Sequence, residues 1–197
     1  LVGRLRTIGA REEAEILRRF PKVLRRVGGY NIDTISAEGH NMAKMLVGSE
    51  GTLAFFTAIE LEVQPIPAHS VLGVCGFKAF ADAMDITRHI VDLDPAAVEV
   101  IDRTMIGLAR GIAAYRPIIE RFVSGAPEAL LMVEFAGEDA AALARKLGGL
   151  GELLADHGFA DAMLEVTEPA FMADIMEVRK AGLNIMMSMK GDGKPIS

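Results

Sequence analysis

The sequence predicts an α+β fold in which helices pack on one face of a ferredoxin-like antiparallel sheet. Strand and helix signals alternate along the chain after Pro65 and Pro67. The helical segments carry apolar residues three and four positions apart, which places those residues on one face of each helix. The resulting order, β-α-β-crossing-β-α-β, is that of the split βαβ sandwich. Such sandwiches host many unrelated functions, so this pattern predicts a fold and no chemistry.

The first 67 residues form a smaller block with mixed signals. A helix is predicted over 11–19, and Pro21 either ends it or begins a second short turn as far as Arg26. A short helix is predicted over 38–47. Residues 53–63 are rich in aromatic and β-branched side chains and predict a strand. Residues 64–69 contain two prolines and mark a boundary. The predicted domains are therefore 1–67 and 68–197.

The second block supplies the predicted sheet. Strands are predicted over 71–77, 97–101, 129–135 and 163–166. Helices are predicted over 79–93, 139–157 and 170–181, with a helical or irregular crossing over 104–114. Asp139 is a favourable N-cap residue, and Pro169 is suited to the first turn of the last helix. A block of about 130 residues buries roughly two-thirds of its unfolded surface, which allows a core of its own.

Composition narrows the classes of protein that are compatible with this chain of 197 residues. Its net charge of −6 disfavours a nucleic-acid partner. The single cysteine, Cys75, cannot form an internal disulfide, and no Cys/His cluster offers a metal site. No apolar run approaches the roughly 20 residues that span a bilayer. We therefore expect a cytoplasmic protein with no transmembrane segment and no bound metal.

A glycine-rich turn is the strongest candidate for a binding site. Gly48 and Gly51 lack a Cβ, so the backbone can adopt φ > 0 and approach a ligand closely. Ser49 and Thr52 add hydroxyl groups that both donate and accept hydrogen bonds. A turn of this composition is also a common connector between two elements. Local chemistry alone leaves both interpretations open.

Two stretches of sequence resemble the FAD-linked oxidase and dehydrogenase family, whose members are flavoproteins of the vanillyl-alcohol-oxidase type. One comprises residues 28–33 (Gly-Gly-Tyr-Asn-Ile-Asp) followed by 46–54 (Leu-Val-Gly-Ser-Glu-Gly-Thr-Leu-Ala), in the family's order and spacing. The other comprises residues 178–184 and 190–197, which resemble the end of the cap domain in long bacterial members. The resemblance includes the D-lactate, glycolate and D-2-hydroxyglutarate dehydrogenases.

The resemblance implies an FAD-dependent oxidoreductase that oxidises a small D-2-hydroxy acid by hydride transfer to flavin N5. Residues implied to contact FAD lie in the two motifs: Tyr30, Asn31, Gly48, Ser49, Gly51 and Thr52. Arg179 is implied to bind the substrate carboxylate, which a guanidinium can hold bidentately. No catalytic residue is assigned. The electron acceptor is expected to be a quinone, a cytochrome or an iron-sulfur module.

The resemblance also implies that the chain is an internal fragment. It would contain the C-terminal tail of the FAD-binding domain and most of the substrate-facing cap domain. The family's upstream glycine-rich loop and downstream histidine motif are not found in these 197 residues. We expect the fragment alone to be inactive, not to retain FAD, and to self-associate where apolar surface is exposed. Besides the cytoplasm, a peripheral position at the inner membrane through the electron-acceptor partner is an alternative.

Two other functions remain compatible with the sequence. A ferredoxin-like domain could act as a non-enzymatic ligand-binding or regulatory module, with the glycine-rich turn as a connector. It could also serve only as a contact surface between domains. An arginine near a helix C-terminus, such as Arg179, is favoured by the helix dipole even without a ligand.

Overall fold

The computed structural model describes residues 1–23, 28–35 and 41–187, apart from the side chain of Leu183. The chain divides into two compact units, Leu1–Gln64 and Pro65–Ser197, called here the N-terminal and C-terminal units. The start of the predicted helix 38–47 and the motif at 190–197 lie outside the described residues. The assignment of residues 1–67 to an FAD-binding domain remains a prediction.

The N-terminal unit contains two α-helices and a 3₁₀ turn. These elements are α1 (Val2–Arg19), the turn Ile32–Thr34 and α2 (Met42–Leu46). Helix α1 begins nine residues earlier than the predicted 11–19 and ends before Phe20, which is extended. A residue that precedes a proline avoids the helical conformation, so Pro21 determines this end. Helix α2 begins after Asn41, whose side chain accepts a 3.0 Å hydrogen bond from the Ala43 amide.

The strand predicted over 53–63 is wrong. Residues 53–68 contain no helix or strand, and several of their large apolar side chains are exposed. Phe55 is 92% exposed and Val63 is 82% exposed. A strand requires a partner for its backbone N–H and C=O groups, and the described part of the N-terminal unit contains no other strand. The segment therefore has the composition of a strand, but no strand in the described part of the N-terminal unit pairs with it.

The C-terminal unit has the predicted alternation of strands and helices. Its elements are β1 (His69–Phe77), α3 (Phe80–Ile90), β2 (Ala97–Asp102), α4 (Arg103–Gly111), α5 (Arg116–Phe122), β3 (Ala129–Gly137), α6 (Ala140–Asp156), β4 (Met163–Val166) and α7 (Pro169–Met187). The crossing predicted over 104–114 contains helix α4, and a second helix, α5, follows it. Helix α5 was not predicted, although the proline in its first turn is a known start signal.

The four strands form one antiparallel sheet in the order β2-β3-β1-β4. The two long central strands, β1 and β3, pair over nine residues, from His69 opposite Gly137 to Phe77 opposite Ala129. The short strands β2 and β4 lie at the edges. This order confirms the predicted α+β class and the ferredoxin-like antiparallel sheet.

Helices cover both faces of the sheet, which corrects the expectation that they lie on one face. Successive side chains of a strand point to opposite faces, so β1 and β3 each contribute to two cores. Helices α3 and α6 pack on one face and α4, α5 and α7 on the other. The α3/α6 core includes Val71, Cys75, Phe77, Leu131, Val133 and Phe135 from the central strands. The α4/α5/α7 core includes Leu72, Val74, Leu130 and Met132.

Two glycines of the C-terminal unit differ in the space around them. Gly73 lies on β1, where an added Cβ would be 2.6 Å from Leu150 Cδ2 and 3.3 Å from Met163 Sδ. Gly148 lies on α6 and has no heavy atom within 4 Å of such a Cβ. An alanine at position 73 would therefore displace the side chains of Leu150 and Met163, whereas at position 148 glycine only weakens the helix.

We predict opposite effects for alanine at these two glycines. Gly148→Ala should raise the free energy of unfolding by about 1 kcal/mol, because glycine is a poor helix former. Gly73→Ala should lower it by about 1–3 kcal/mol, because it overfills a packed core. Urea unfolding followed by circular dichroism measures both changes. Equal changes for the two variants would contradict this account of the α6–sheet packing.

Candidate functional site

The glycine-rich turn has an unusual backbone conformation. Three residues have positive φ, namely Gly48 at 75°, Glu50 at 51° and Gly51 at 75°. Glu50 is not a glycine, so its left-handed conformation costs about 1–2 kcal/mol. The amides of Glu50 and Gly51 have no backbone acceptor within the described parts of the chain. Strain of this kind is concentrated at binding loops, where the surrounding structure maintains it.

The two motif segments of the N-terminal unit are in direct contact. Tyr30 Oη lies 2.8 Å from Thr52 Oγ1, and Thr52 Oγ1 donates to the Ser49 carbonyl at 2.6 Å. Because the Thr52 hydroxyl has one proton and gives it to Ser49, Tyr30 is the donor in the first bond. Asn31 Nδ2 donates to the carbonyls of Lys44 and Val47 at 3.2 and 3.0 Å. The predicted residues Tyr30, Ser49 and Thr52 therefore form one hydrogen-bonded group, and Asn31 is tied separately to the end of α2 and to Val47.

Ser49 holds the one buried side-chain polar atom without a partner among the described residues. Its side chain is 2% exposed, and Oγ has no hydrogen-bond partner. A buried hydroxyl that makes no hydrogen bond costs about 1–3 kcal/mol. Hydroxyls in such positions are normally hydrogen-bonded, so an unpaired one indicates a missing partner. Ser49 lies between the positive-φ residues of the turn, where a ligand would supply that partner.

Arg179 lies on α7 in the C-terminal unit and is engaged by an acidic residue of the chain itself. Its Nε and Nη2 atoms donate to the two carboxylate oxygens of Glu99 on β2. The preceding residue Val178 is buried and anchors this turn of α7 in the core. Gly182 allows α7 to approach α4, because an added Cβ would lie 2.9 Å from Met105 Cε. Glu99 is not among the residues predicted from the sequence.

A surface groove of about 600 Å³ lies beside this ion pair. The charged residues that line it are Glu99, Asp102, Arg179 and Lys180. The hydrogen bonds to Glu99 raise the pKa of Arg179 above its ordinary value, and the charge of Glu134 acts in the same direction. Arg179 therefore stays cationic, and its side chain is 39% exposed. A cation at the edge of a groove can bind an anionic group.

Other candidate groups do not form a site in the described residues. No cluster of three or more metal-ligating side chains is found there, and no helix there is long and apolar enough to cross a membrane. His89 and His157 stack with ring centroids 4.5 Å apart, without a carboxylate partner in the hydrogen bonds they form. Cys75 is fully buried, and burial raises the pKa of its thiol to about 12. This thiol is not a nucleophile.

Comparison with known proteins identifies the family. Residues 66–197, about two-thirds of the chain, match the family described as FAD linked oxidases, C-terminal domain. The chain belongs to the FAD-linked oxidase family. The resemblance carried by the two motifs is thereby confirmed. FAD is therefore the cofactor against which the candidate residues are compared.

Several curated relatives are similar to most of the chain. The D-2-hydroxyglutarate dehydrogenase of Escherichia coli is 28% identical over 192 residues, which cover 92% of this chain and 19% of that protein. The mitochondrial D-lactate dehydrogenase (cytochrome) of Arabidopsis thaliana is 33% identical over 151 residues, which cover 75% of this chain and 25% of that protein. The chain thus spans about a fifth to a quarter of the length of these relatives.

The turn of this FAD-linked oxidase family member fits a group such as FAD. FAD carries phosphate and ring atoms that accept and donate hydrogen bonds, and the turn offers backbone amides at positive φ. The Ser49 hydroxyl has a hydrogen-bonding capacity that no group of the described residues uses and that a polar group could satisfy. The motif spacing could identify the turn, because Tyr30 and Thr52 are close in sequence. Glu99 and Arg179 are 80 residues apart, so their contact has no local signal in the sequence.

The buried thiol of Cys75 gives a prediction about pH and reactivity. Its pKa is 9.0 when unperturbed and about 12 in the folded protein. Between these two pH values the thiol ionises in the unfolded chain but not in the folded one. The free energy of unfolding therefore falls by about 1.4 kcal/mol for each unit by which the pH rises. Cys75→Ala should remove this part of the slope, measured by urea unfolding from pH 8.5 to 10.5. Rapid thiol modification of the native protein at pH 8 would contradict the assignment.

Proposed function

We propose that this chain is part of an FAD-dependent dehydrogenase that oxidises a D-2-hydroxy acid of the lactate, glycolate or 2-hydroxyglutarate class. The observation that carries the proposal is the buried, unpartnered Ser49 hydroxyl in a positive-φ turn. Membership of an FAD-linked family favours this enzyme over a non-enzymatic ligand-binding module. The N-terminal unit would supply the contacts to the cofactor and the C-terminal unit those to the substrate.

In the N-terminal unit the chain's task is to hold the cofactor. The amides of Glu50 and Gly51 would donate to FAD, and the Ser49 hydroxyl would gain the partner that it lacks. Tyr30 and Asn31 support the turn from the preceding motif through Thr52 and the end of α2. The chain's own hydrogen bonds hold the backbone of the turn, which limits the further ordering that binding would require.

In the C-terminal unit the chain's task is to orient the substrate. The Arg179 guanidinium would bind the carboxylate of the hydroxy acid, because a planar fork of donors matches two carboxylate oxygens. When bound, FAD supplies the redox chemistry by accepting a hydride from the α-carbon. An electron acceptor such as a quinone, a cytochrome or an iron-sulfur module would reoxidise it. The similarity to dehydrogenases of both D-lactate and D-2-hydroxyglutarate supports the substrate class as a whole.

Ser49→Ala should change stability and cofactor affinity in opposite directions. Without FAD, the variant should gain about 1–2 kcal/mol in free energy of unfolding, because an unsatisfied buried hydroxyl is removed. FAD binding should weaken about tenfold, because the hydrogen bond to the ligand is lost. Both are measured on the full-length protein that contains this chain, by urea unfolding of the apoprotein and by fluorescence titration with FAD.

The matched control is Ser70→Ala in the C-terminal unit. Ser70 Oγ already donates to Met172 Sδ at 3.3 Å, so its removal should neither stabilise the apoprotein nor change the affinity for FAD. If Ser49→Ala leaves the affinity for FAD unchanged, Ser49 is not a cofactor contact.

Arg179→Met should remove the contact with the substrate carboxylate. We expect kcat/KM for D-lactate and for D-2-hydroxyglutarate to fall about a hundredfold, the value of a lost charge-assisted hydrogen-bond pair. FAD content, read from the visible absorbance, should not change. Arg103→Met is the control, because Arg103 forms a comparable ion pair with Glu128 at 2.7 Å. An equal loss in both variants would indicate a general effect on folding and refute the role of Arg179.

A further inference from the structure

Glu99 engages one edge of the Arg179 guanidinium and leaves the other edge available. Its two carboxylate oxygens accept from Nε and Nη2 of Arg179. A guanidinium has five N–H groups. The two on Nη1 and the second on Nη2 have no partner among the described residues. One N–H on each Nη atom forms the end-on edge of the fork, which can bind a second carboxylate bidentately, while the other N–H on Nη1 points back toward Cδ.

The position of Glu99 in the sheet explains why it reaches Arg179. Glu99 lies in the middle of the edge strand β2, directly opposite Met132 of β3. Met132 belongs to the core under α4, α5 and α7, so Glu99 points to the face that α7 covers. Its side chain is 35% exposed, which places the carboxylate at the border between this core and solvent. An acidic side chain at this border needs a cationic partner, and α7 provides one.

The aliphatic part of Arg179 is also held. Together with Ile101, Met105 and Val178 it lines a small apolar cavity of about 20 Å³ within the core. The stem of the side chain therefore packs on apolar groups while its head is bound by Glu99. An arginine loses up to about 2 kcal/mol of rotamer entropy when it is fixed. Here contacts with Glu99 and with apolar groups of the core fix the side chain.

We infer that Glu99 is a positioning residue that presents the end-on edge of Arg179 to the substrate carboxylate. This inference rests on the proposed role of Arg179. Glu99 acts through Arg179 and does not itself touch the substrate, because both of its oxygens are occupied by the guanidinium. The substrate carboxylate then binds beside Glu99 and leaves the ion pair intact.

The test is a double-mutant cycle in the full-length, FAD-loaded protein, with D-lactate and D-2-hydroxyglutarate as substrates. Glu99→Gln should raise KM about tenfold, within the range of coupling between contacting residues, and change kcat less than about twofold. In an Arg179→Lys background, Glu99→Gln should have no further effect on KM, because the fork that Glu99 orients is absent. If Glu99→Gln acted only by damaging the structure, its effect on KM would add to that of Arg179→Lys.

The control variant is Glu128→Gln, which breaks the exposed ion pair with Arg103 and should leave KM unchanged. A lower KM for Glu99→Gln would overturn the inference, because it would show that Glu99 competes with the substrate for Arg179. An unchanged KM, or additive effects in the double variant, would overturn it as well. If Arg179→Lys itself leaves KM unchanged, the proposed function of Arg179 fails, which is distinguishable from failure of Glu99 alone.

Discussion

The ladder between β1 and β3 is the constraint on which the rest of the C-terminal unit depends. It joins nine residue pairs, and the side chains of both strands are buried on both faces. Because each strand serves two cores, a shift in register by one residue would exchange the contents of those cores. The shorter strands can only be added outside this pair, which leaves β2 and β4 at the edges. The placement of Glu99 on β2 follows from this order.

Local periodicity was sufficient to predict most elements of the C-terminal unit. Strands β1 to β4 and helices α3 and α6 were predicted within a few residues of their observed bounds, whereas α7 extends six residues beyond its predicted end at residue 181. Their apolar residues recur with the period of the element, and Asp139 caps α6 as expected. The position of α4, α5 and α7 on the second face of the sheet was not predicted. Periodicity shows which face of a helix is buried, but it does not show which face of a sheet the helix meets. Residues 53–63 show the converse limit, because composition cannot supply a partner strand.

Contacts of the candidate site between residues that are near in sequence were predictable, and contacts between distant residues were not. The hydrogen bond between Tyr30 and Thr52 joins residues 22 apart, and a recognisable spacing of motifs points to that contact. Burial of Ser49 and the pairing of Arg179 with Glu99 are properties of the folded chain. Helix α7 continues to Met187, about two turns beyond Arg179, so the ion pair with Glu99 and not the helix dipole favours an arginine at this place. The cationic Arg179 can therefore both pair with Glu99 and bind an anionic group.

The coverage of both sheet faces has a consequence for how this domain can diverge during evolution. Inward positions such as Leu72 on β1 and Leu131 on β3 face packed cores, so substitutions there are mostly destabilising. The edge strand β2 is different, because its residues are only partly buried or exposed. Sequence drift is therefore tolerated along the border that also contains Glu99 and the groove. A fold of this kind separates the positions that tolerate few substitutions, in the central strands, from the positions where new ligand preferences can arise, at one edge.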